Sequence, residues 1–398
     1  MRGSVLSPFR YSSYTIFWSC AFISNLGTWI RDVASSWVMT HLSTSPLTIA
    51  LLSFSSSLPI VLFSIPAGYW SDRGDRRKIL LLAQGLMVFA AFVLGLLASL
   101  QALDEVALLL LCFLMGVGVA LNGPAYQTVL SELVPPFEQQ KAVLVYYMGL
   151  NITRVVGPAV GGFILGLSGA ANAFYINAAC FLGLIFYYWR WPLPSLSQTE
   201  QKSFTSRDLN FLFANHTLKL WGEIFLVSFC ASCLWALYPV RGRLELHLES
   251  LQYGSLLGFL GLGAFLSVLF AGKFMQPQRT KESLSFAYVI FAAGQLFLAM
   301  AETYVVACIG MILAGTGWIV LATLMNMSSR QLTSSNHLKA TQLGVFLSVF
   351  YLGMSLGSVS WGAIAKLLST SQALMISSGL LILVGIFKRK YRDKESHI

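Results

Sequence analysis

Residues 68–78 read Gly68-Tyr69-Trp70-Ser71-Asp72-Arg73-Gly74-Asp75-Arg76-Arg77-Lys78, a compact charged knot between two long apolar stretches. Hydrocarbon does not hold such a cluster of charges, so the chain emerges from the membrane there. The order of the residues is informative too. A small residue, Gly68, sits at a helix end; an acid, Asp72, follows one turn later, and then a basic cluster. A loop that served only to set topology would need the basic residues but neither Gly68 nor Asp72.

Outward from the knot, the chain is greasy. Of its 398 residues 56% are hydrophobic and only 11% charged, against about 25% charged in soluble domains. A soluble protein of this composition would expose apolar surface to water, whereas lipid covers it in a polytopic membrane protein. Arg2 and Arg10 precede an apolar stretch too long for a signal-peptide core, and no small-residue cleavage site follows. The first span is therefore expected to remain in the mature protein.

Twelve apolar stretches are long enough to cross about 30 Å of hydrocarbon, at 12–40, 45–70, 79–101, 104–133, 140–168, 171–192, 220–240, 250–273, 283–301, 303–327, 340–367 and 371–387. Each satisfies its own backbone only as a helix. The expected fold class is an all-α polytopic membrane protein. Its orientation follows from Lys and Arg. Alternate loops hold Arg2 and Arg10, the knot, Lys141, Arg190, Lys202, Arg207, Lys219, Lys273, Arg279, Lys281, Arg330, Lys339 and the basic tail from Lys388. The other loops hold only Arg241, Arg243 and Lys366. The positive-inside rule then places both termini in the cytoplasm. The net charge of +10 is a topology signal with some attraction to anionic lipid, and it calls for no nucleic acid.

One long polar interval, Pro192 to Thr217, divides the spans six and six. The expected organisation is an N-terminal six-helix bundle (1–191), a cytoplasmic linker (192–217) and a C-terminal six-helix bundle with a basic tail (218–398). Phe204, Leu209, Phe211, Leu212 and Phe213 make the second half of the linker weakly amphipathic, as in a segment lying along the membrane surface. Two halves around a midplane site is the plan of many secondary transporters.

The run Gly68-x-x-x-Asp72-Arg73-x-x-Arg76-Arg77 resembles the loop motif of the major facilitator superfamily, with Asp75 where that pattern usually has Gly. An acid there is similar to the branch that contains enterobactin exporters and macrolide efflux proteins. Asn25-Leu26-Gly27-Thr28-Trp29, Ser45-Pro46-Leu47, Asn122-Gly123-Pro124-Ala125 and Glu132-Leu133-Val134-Pro135 fit the same branch. The resemblance implies the major facilitator fold of twelve transmembrane helices in two six-helix bundles. It also implies a conformational latch at Gly68, Asp72, Arg73, Arg76 and Arg77. In the fifth span, Arg154-x-x-Gly157-Pro158-x-x-Gly161-Gly162 resembles the glycine-proline motif of exporters in this superfamily. Gly157 and Gly161 share a helical face, where a neighbour approaches closely, and Pro158 permits a kink.

Charge inside the membrane is the strongest pointer to a site. Arg31 and Asp32 lie in the first span and Arg154 in the fifth. On the first helix Asn25, Trp29, Asp32 and Ser36 form a polar stripe at spacings of three and four, expected to face a central cavity. Asp32 is a candidate proton carrier or partner of a cationic substrate group. Static Arg31–Asp32 or Asp32–Arg154 pairing is the alternative. Glu223, about one turn inside the seventh span, is a second candidate acid. Asn122, Tyr126 and Gln127 are further candidates to line the cavity.

Cys230 and Cys233 form a CxxC on one apolar helix with no second pair or nearby His, so packing is expected rather than metal or redox chemistry. No phosphate loop or hydrolase triad stands out. The expectation is therefore a non-enzymatic, cofactor-free, metal-free secondary transporter of the inner membrane, exporting a siderophore or an amphipathic drug-like molecule by proton antiport. Its partners would be the small-molecule substrate, protons and membrane lipid. It would work as a monomer and hand its substrate to an outer-membrane system. A nutrient importer of the same fold, or a polytopic membrane enzyme or scaffold, are the rivals.

Overall fold

The computed structural model describes residues 5–73, 75–190, 215–274, 280–331 and 339–395. The amphipathic half of the linker lies almost wholly outside them. Among the described residues the chain is helical, with no strand. Its long helices are α1 (Ser12–Leu42), α2 (Pro46–Arg73), α3 (Arg76–Ser99) and α4 (Glu105–Glu132). A continuous run follows, Gln139–Arg190, broken at Gly169 into two helices, α5 (139–168) and α6 (170–190). After the linker come α7 (Asn215–Pro239), α8 (Ser250–Phe274), α9 (Thr280–Ala299), α10 (Tyr304–Gln331), α11 (Lys339–Leu367) and α12 (Thr370–Glu395). Seven helical runs, with 136–190 taken as one, are long and apolar enough to cross a membrane.

Local chemistry sets the helix ends. Asp75 caps α3: its Oδ1 accepts from the backbone N–H of Arg77 at 3.0 Å and of Lys78 at 3.4 Å. Asp104 caps α4 by accepting from Ala107 N at 2.7 Å. Each acid satisfies donors that the first helical turn leaves open. Gly169 has φ 79° and ψ 174°, a region essentially restricted to glycine. That residue turns the chain between α5 and α6 without a longer loop.

The first six helices pack chiefly on one another, as do the last six; α2 against α11 and α5 against α8 are the main contacts between the sets. Small residues make the closest approaches. Gly27 of α1 faces the Cys180 side chain of α6, and Gly157 and Gly161 of α5 face Trp29 and Ile30 of α1. The α5–α8 seam is tighter, backbone against backbone. A side-chain carbon on Gly162 would lie 3.0 Å from Gly254 Cα, and one on Gly258 would lie 2.9 Å from the Val155 carbonyl oxygen. One on Gly261 would lie 2.7 Å from the Arg154 carbonyl carbon. The glycines of α5 thus divide between two partners, α1 and α8.

Candidate functional site

Two opposite charges lie side by side in α1. Arg31 Nη2 and Asp32 Oδ1 are 2.6 Å apart, the Arg31 side chain nearly sealed and that of Asp32 40% accessible. Arg31 also approaches Met115 Sδ at 3.5 Å, while its Nε has no hydrogen-bond partner among the described residues. One turn on, Ser36 Oγ donates to the Asp32 carbonyl oxygen at 2.7 Å and accepts from Tyr238 Oη of α7 at 3.2 Å. Asp32 therefore sits where the first set of helices meets the second. No ion pair joins it to Arg154 among the described residues; Arg31 is its partner.

Beside this pair the halves are bolted together. Tyr238 stacks on Tyr253 of α8 with ring centroids 5.5 Å apart, and Tyr253 meets Trp37 edge-on at 5.5 Å. The Arg243 guanidinium lies 4.6 Å above the Trp37 ring, a cation–π contact. Arg243 Nη2 approaches His41 Nε2 at 3.5 Å, and His41 Nδ1 lies 3.0 Å from the Trp37 carbonyl oxygen. A carbonyl only accepts, so Nδ1 carries the proton and Nε2 accepts from Arg243. Arg241 donates to the carbonyls of Leu298, Ala299 and Ala301 at 3.0, 3.0 and 2.6 Å, tying down the end of α9. Arg241 and Arg243, two of the three basic residues that depart from the alternating loop pattern, thus have structural work of their own. Further along, a side-chain carbon on Gly362 of α11 would meet Ala50 and Leu47 of α2, and Ser64 and Ser348 of the same helices lie 3.3 Å apart.

Arg154 stands near the middle of α5. It is partly accessible, between the buried Thr153 and Gly157, with its backbone pressed against Gly261 of α8. The Tyr351 phenol of α11 is its electrostatic neighbour across the seam. Tyr351 continues an aromatic wall: Phe350 at 5.3 Å, then Trp318 at 5.7 Å, then Trp235 at 5.0 Å.

The other sequence candidates fall elsewhere. Asn25 donates to the Ala21 carbonyl oxygen of its own helix at 2.8 Å. Trp29 lies with its Cβ against Gly157. Asn122 Oδ1 accepts from the fully buried Gln84 of α3 at 3.2 Å. Tyr126 is buried among Phe17 and Tyr146, at centroid distances of 4.7 and 5.3 Å, and its hydroxyl has no described partner. Glu223 Oε1 accepts from Tyr288 Oη of α9 at 3.0 Å, within the second set of helices. Asn122, Tyr126 and Glu223 are accordingly bonded or packed inside their own set. In the knot, Arg76 pairs with Glu132 of α4 at 2.8 Å and Arg77 donates to the Trp189 carbonyl of α6, both within the first set. Gly68, Asp72, Arg73 and Gln127 lie outside the residues whose side chains are described. Pro158, like Gly157, is buried in α5. Cys230 and Cys233 are buried free thiols, and no cluster of metal-ligating side chains occurs among the described residues.

The sequence reading missed several of these features. Asp75 as a cap was legible from its place one residue before a helix. The Trp37–His41–Arg243 bolt left no local signal, because His41 and Arg243 are 202 residues apart in the chain.

An all-helical chain in two sets, meeting at a glycine seam beside buried charge, has the build of a polytopic small-molecule transporter. The chain belongs to the Transmembrane secretion effector family of the major facilitator superfamily, whose model matches residues 3–396. It is a multi-pass inner-membrane protein. The multidrug efflux pump Tap of Mycolicibacterium fortuitum is 22% identical over 94% of this chain and 95% of its own. The enterobactin exporter EntS of Shigella flexneri is 24% identical over 82% of this chain and 80% of its own. The staphyloferrin A transporter of Staphylococcus aureus is 26% identical over a shorter stretch, 42% of either chain. Among solved structures, the nucleoside transporter NupG superposes with a TM-score of 0.76 at 16% identity, over 94% of this chain and 98% of its own. That likeness concerns the fold alone.

Proposed function

We propose that the protein is a proton-coupled exporter of a siderophore or an amphipathic drug-like molecule, working by alternating access. The observation that carries this reading is the Arg31–Asp32 pair. It lies within α1, with the Asp32 side chain 40% accessible and its main-chain carbonyl bonded by Ser36, which also accepts from Tyr238 of the opposite set. A carboxylate at that depth is too costly to face lipid, and one at a moving seam is placed to exchange a proton. The efflux relatives support export, as does the exporter-type motif at Arg154, Gly157, Pro158, Gly161 and Gly162. The proposed topology has twelve transmembrane helices in two six-helix bundles, 1–191 and 218–398, joined by a cytoplasmic linker at 192–217, with both termini cytoplasmic.

On that topology the bolt of Trp37, His41, Tyr238, Arg243 and Tyr253 closes the outer side, and the protein faces inward. Gly68, Asp72, Arg73, Arg76 and Arg77 form a cytoplasmic latch, with the Arg76–Glu132 and Arg77–Trp189 contacts holding α3 to α4 and α6. The working unit is a monomer that passes its substrate to an outer-membrane system. A membrane potential of 100 mV supplies about 2.3 kcal/mol per charge moved, so one or two protons per cycle sustain a useful gradient.

The test is pH-jump-driven flux in proteoliposomes, alongside metabolite profiling of cells and medium with and without the gene. Asp32→Asn is expected to abolish uphill export and the response to an imposed pH gradient while leaving substrate binding. Uphill accumulation by Asp32→Asn would remove Asp32 as the proton carrier and turn attention to Glu223.

A further inference from the structure

We propose that Arg154 anchors an oxyanion-binding site at the seam, so that the transported molecule presents a carboxylate or similar oxyanion beside an aromatic ring. The inference rests on the transporter reading above and names the substrate class of its site. The guanidinium groups of the seam, the bolt and the knot differ in how they are satisfied. Arg31 is neutralised by Asp32 at 2.6 Å. Arg76 is neutralised by Glu132 at 2.8 Å. Arg77 donates to a carbonyl, Arg241 to three carbonyls and Glu245, and Arg243 lies over the Trp37 ring. Arg154 makes no hydrogen bond and no ion pair among the described residues.

An uncompensated guanidinium deep in a protein is expensive. That expense persists in a sequence most readily when a mobile partner supplies the missing charge. Three features fit such a partner. The residue is partly accessible, so the charge is not sealed off from an approaching group. Its backbone is pressed against Gly261 of α8, and three residues further on Gly157 meets Trp29 of α1, so the helix that carries the group is fixed at the seam. Asp32, the acid that was a candidate to neutralise it, is engaged with Arg31 instead.

The chemistry of the ligand follows. A guanidinium matches an oxyanion through two parallel N–H···O bonds. The facing surface of α11 and α10 is aromatic, with Tyr351, Phe350 and Trp318 in sequence at 5.3 and 5.7 Å. Rings there take an aromatic or other flat apolar body. A cationic amphiphile would meet Arg154 with like charge.

The test uses the full-length protein in detergent and two probes with the same ring and opposite charge, 2-naphthoate and 2-naphthylmethylammonium, in equilibrium dialysis. The wild type is expected to bind 2-naphthoate about tenfold more tightly, the scale of one charge-assisted contact. Arg154→Gln should erase that preference, and Arg154→Lys should keep part of it. Equal affinities in the wild type, or no binding of 2-naphthoate, overturn the proposal without any variant. So does a preference that survives in Arg154→Gln, provided that variant remains monodisperse and melts cooperatively. Dialysis involves no gradient, so the outcome is separable from the export reading. Oxyanion preference without uphill flux would sink export and leave the site. Uphill flux with a charge preference indifferent to Arg154 would do the reverse.

Discussion

Replacing Gly254 by alanine should favour the state in which α8 leaves α5. The added carbon would stand 2.8 Å from Gly162 Cα and 2.9 Å from Gly162 N. Ordinary carbon contacts are about 3.5–4.0 Å, so the helices must part by about 1 Å. Neither neighbour is the end of a flexible side chain; both are backbone of a helix that α1 holds from behind through Gly157 and Gly161. Overpacking of this kind costs about 1–3 kcal/mol. If the cost falls only on the seam-closed state, that state loses about 5- to 150-fold in relative population, at about 1.4 kcal/mol per tenfold. The readout is a spin-label distance between cysteines introduced at the exposed Thr44 and Glu249, which belong to opposite sets and flank the bolt. The partly accessible Cys20 and Cys180 would be replaced by alanine. The parent should give a short distance and Gly254→Ala a second, longer one. An unchanged distance distribution in a correctly inserted variant would refute the claim that the glycine seam is specific to one state.

Other outcomes follow from named contacts. Arg243→Ala removes the cation–π contact with Trp37 and the bond to His41; a loss of about 0.5–2 kcal/mol should lengthen the same label distance, and no lengthening would mean that the bolt carries no weight. Asp75→Ala deletes the α3 cap at about 1 kcal/mol, which should lower the melting temperature while leaving flux per molecule nearly intact. Gly169→Ala meets open space, so its cost is backbone strain alone, about 1–3 kcal/mol; it should appear as reduced thermal stability, and an unchanged melting temperature would argue that the turn tolerates a side chain. Reporter fusions within Gln198–Ser206 and after Ile398 should read cytoplasmic, and fusions near Ala102 and Ser168 external; an external C-terminus would overturn the twelve-span topology.

The sequence by itself determined the class of this protein. Apolar runs with so few charges have one solvent, lipid, and one backbone solution, the helix. These signals are local, so they are legible residue by residue. Arg31, Asp32 and Arg154 announced themselves in the same way, because charge within an apolar run costs too much to be incidental. Gly157 and Gly161 could be read as a close-packing face, though not the partner it serves.

Only the tertiary structure decided who meets whom. It joined Asp32 to Arg31 rather than to Arg154, and brought Arg154 up to Tyr351. It placed Asn122 against Gln84 and Glu223 against Tyr288, within their own sets of helices. It also assembled the bolt of His41 and Trp37 with Arg243, and fitted the glycines of α5 against those of α8. A helical period says which residues share a face, but several helices compete to cover that face, and the choice depends on backbone fit between segments distant in sequence. That fit is a property of two surfaces at once, so neither stretch of sequence states it alone.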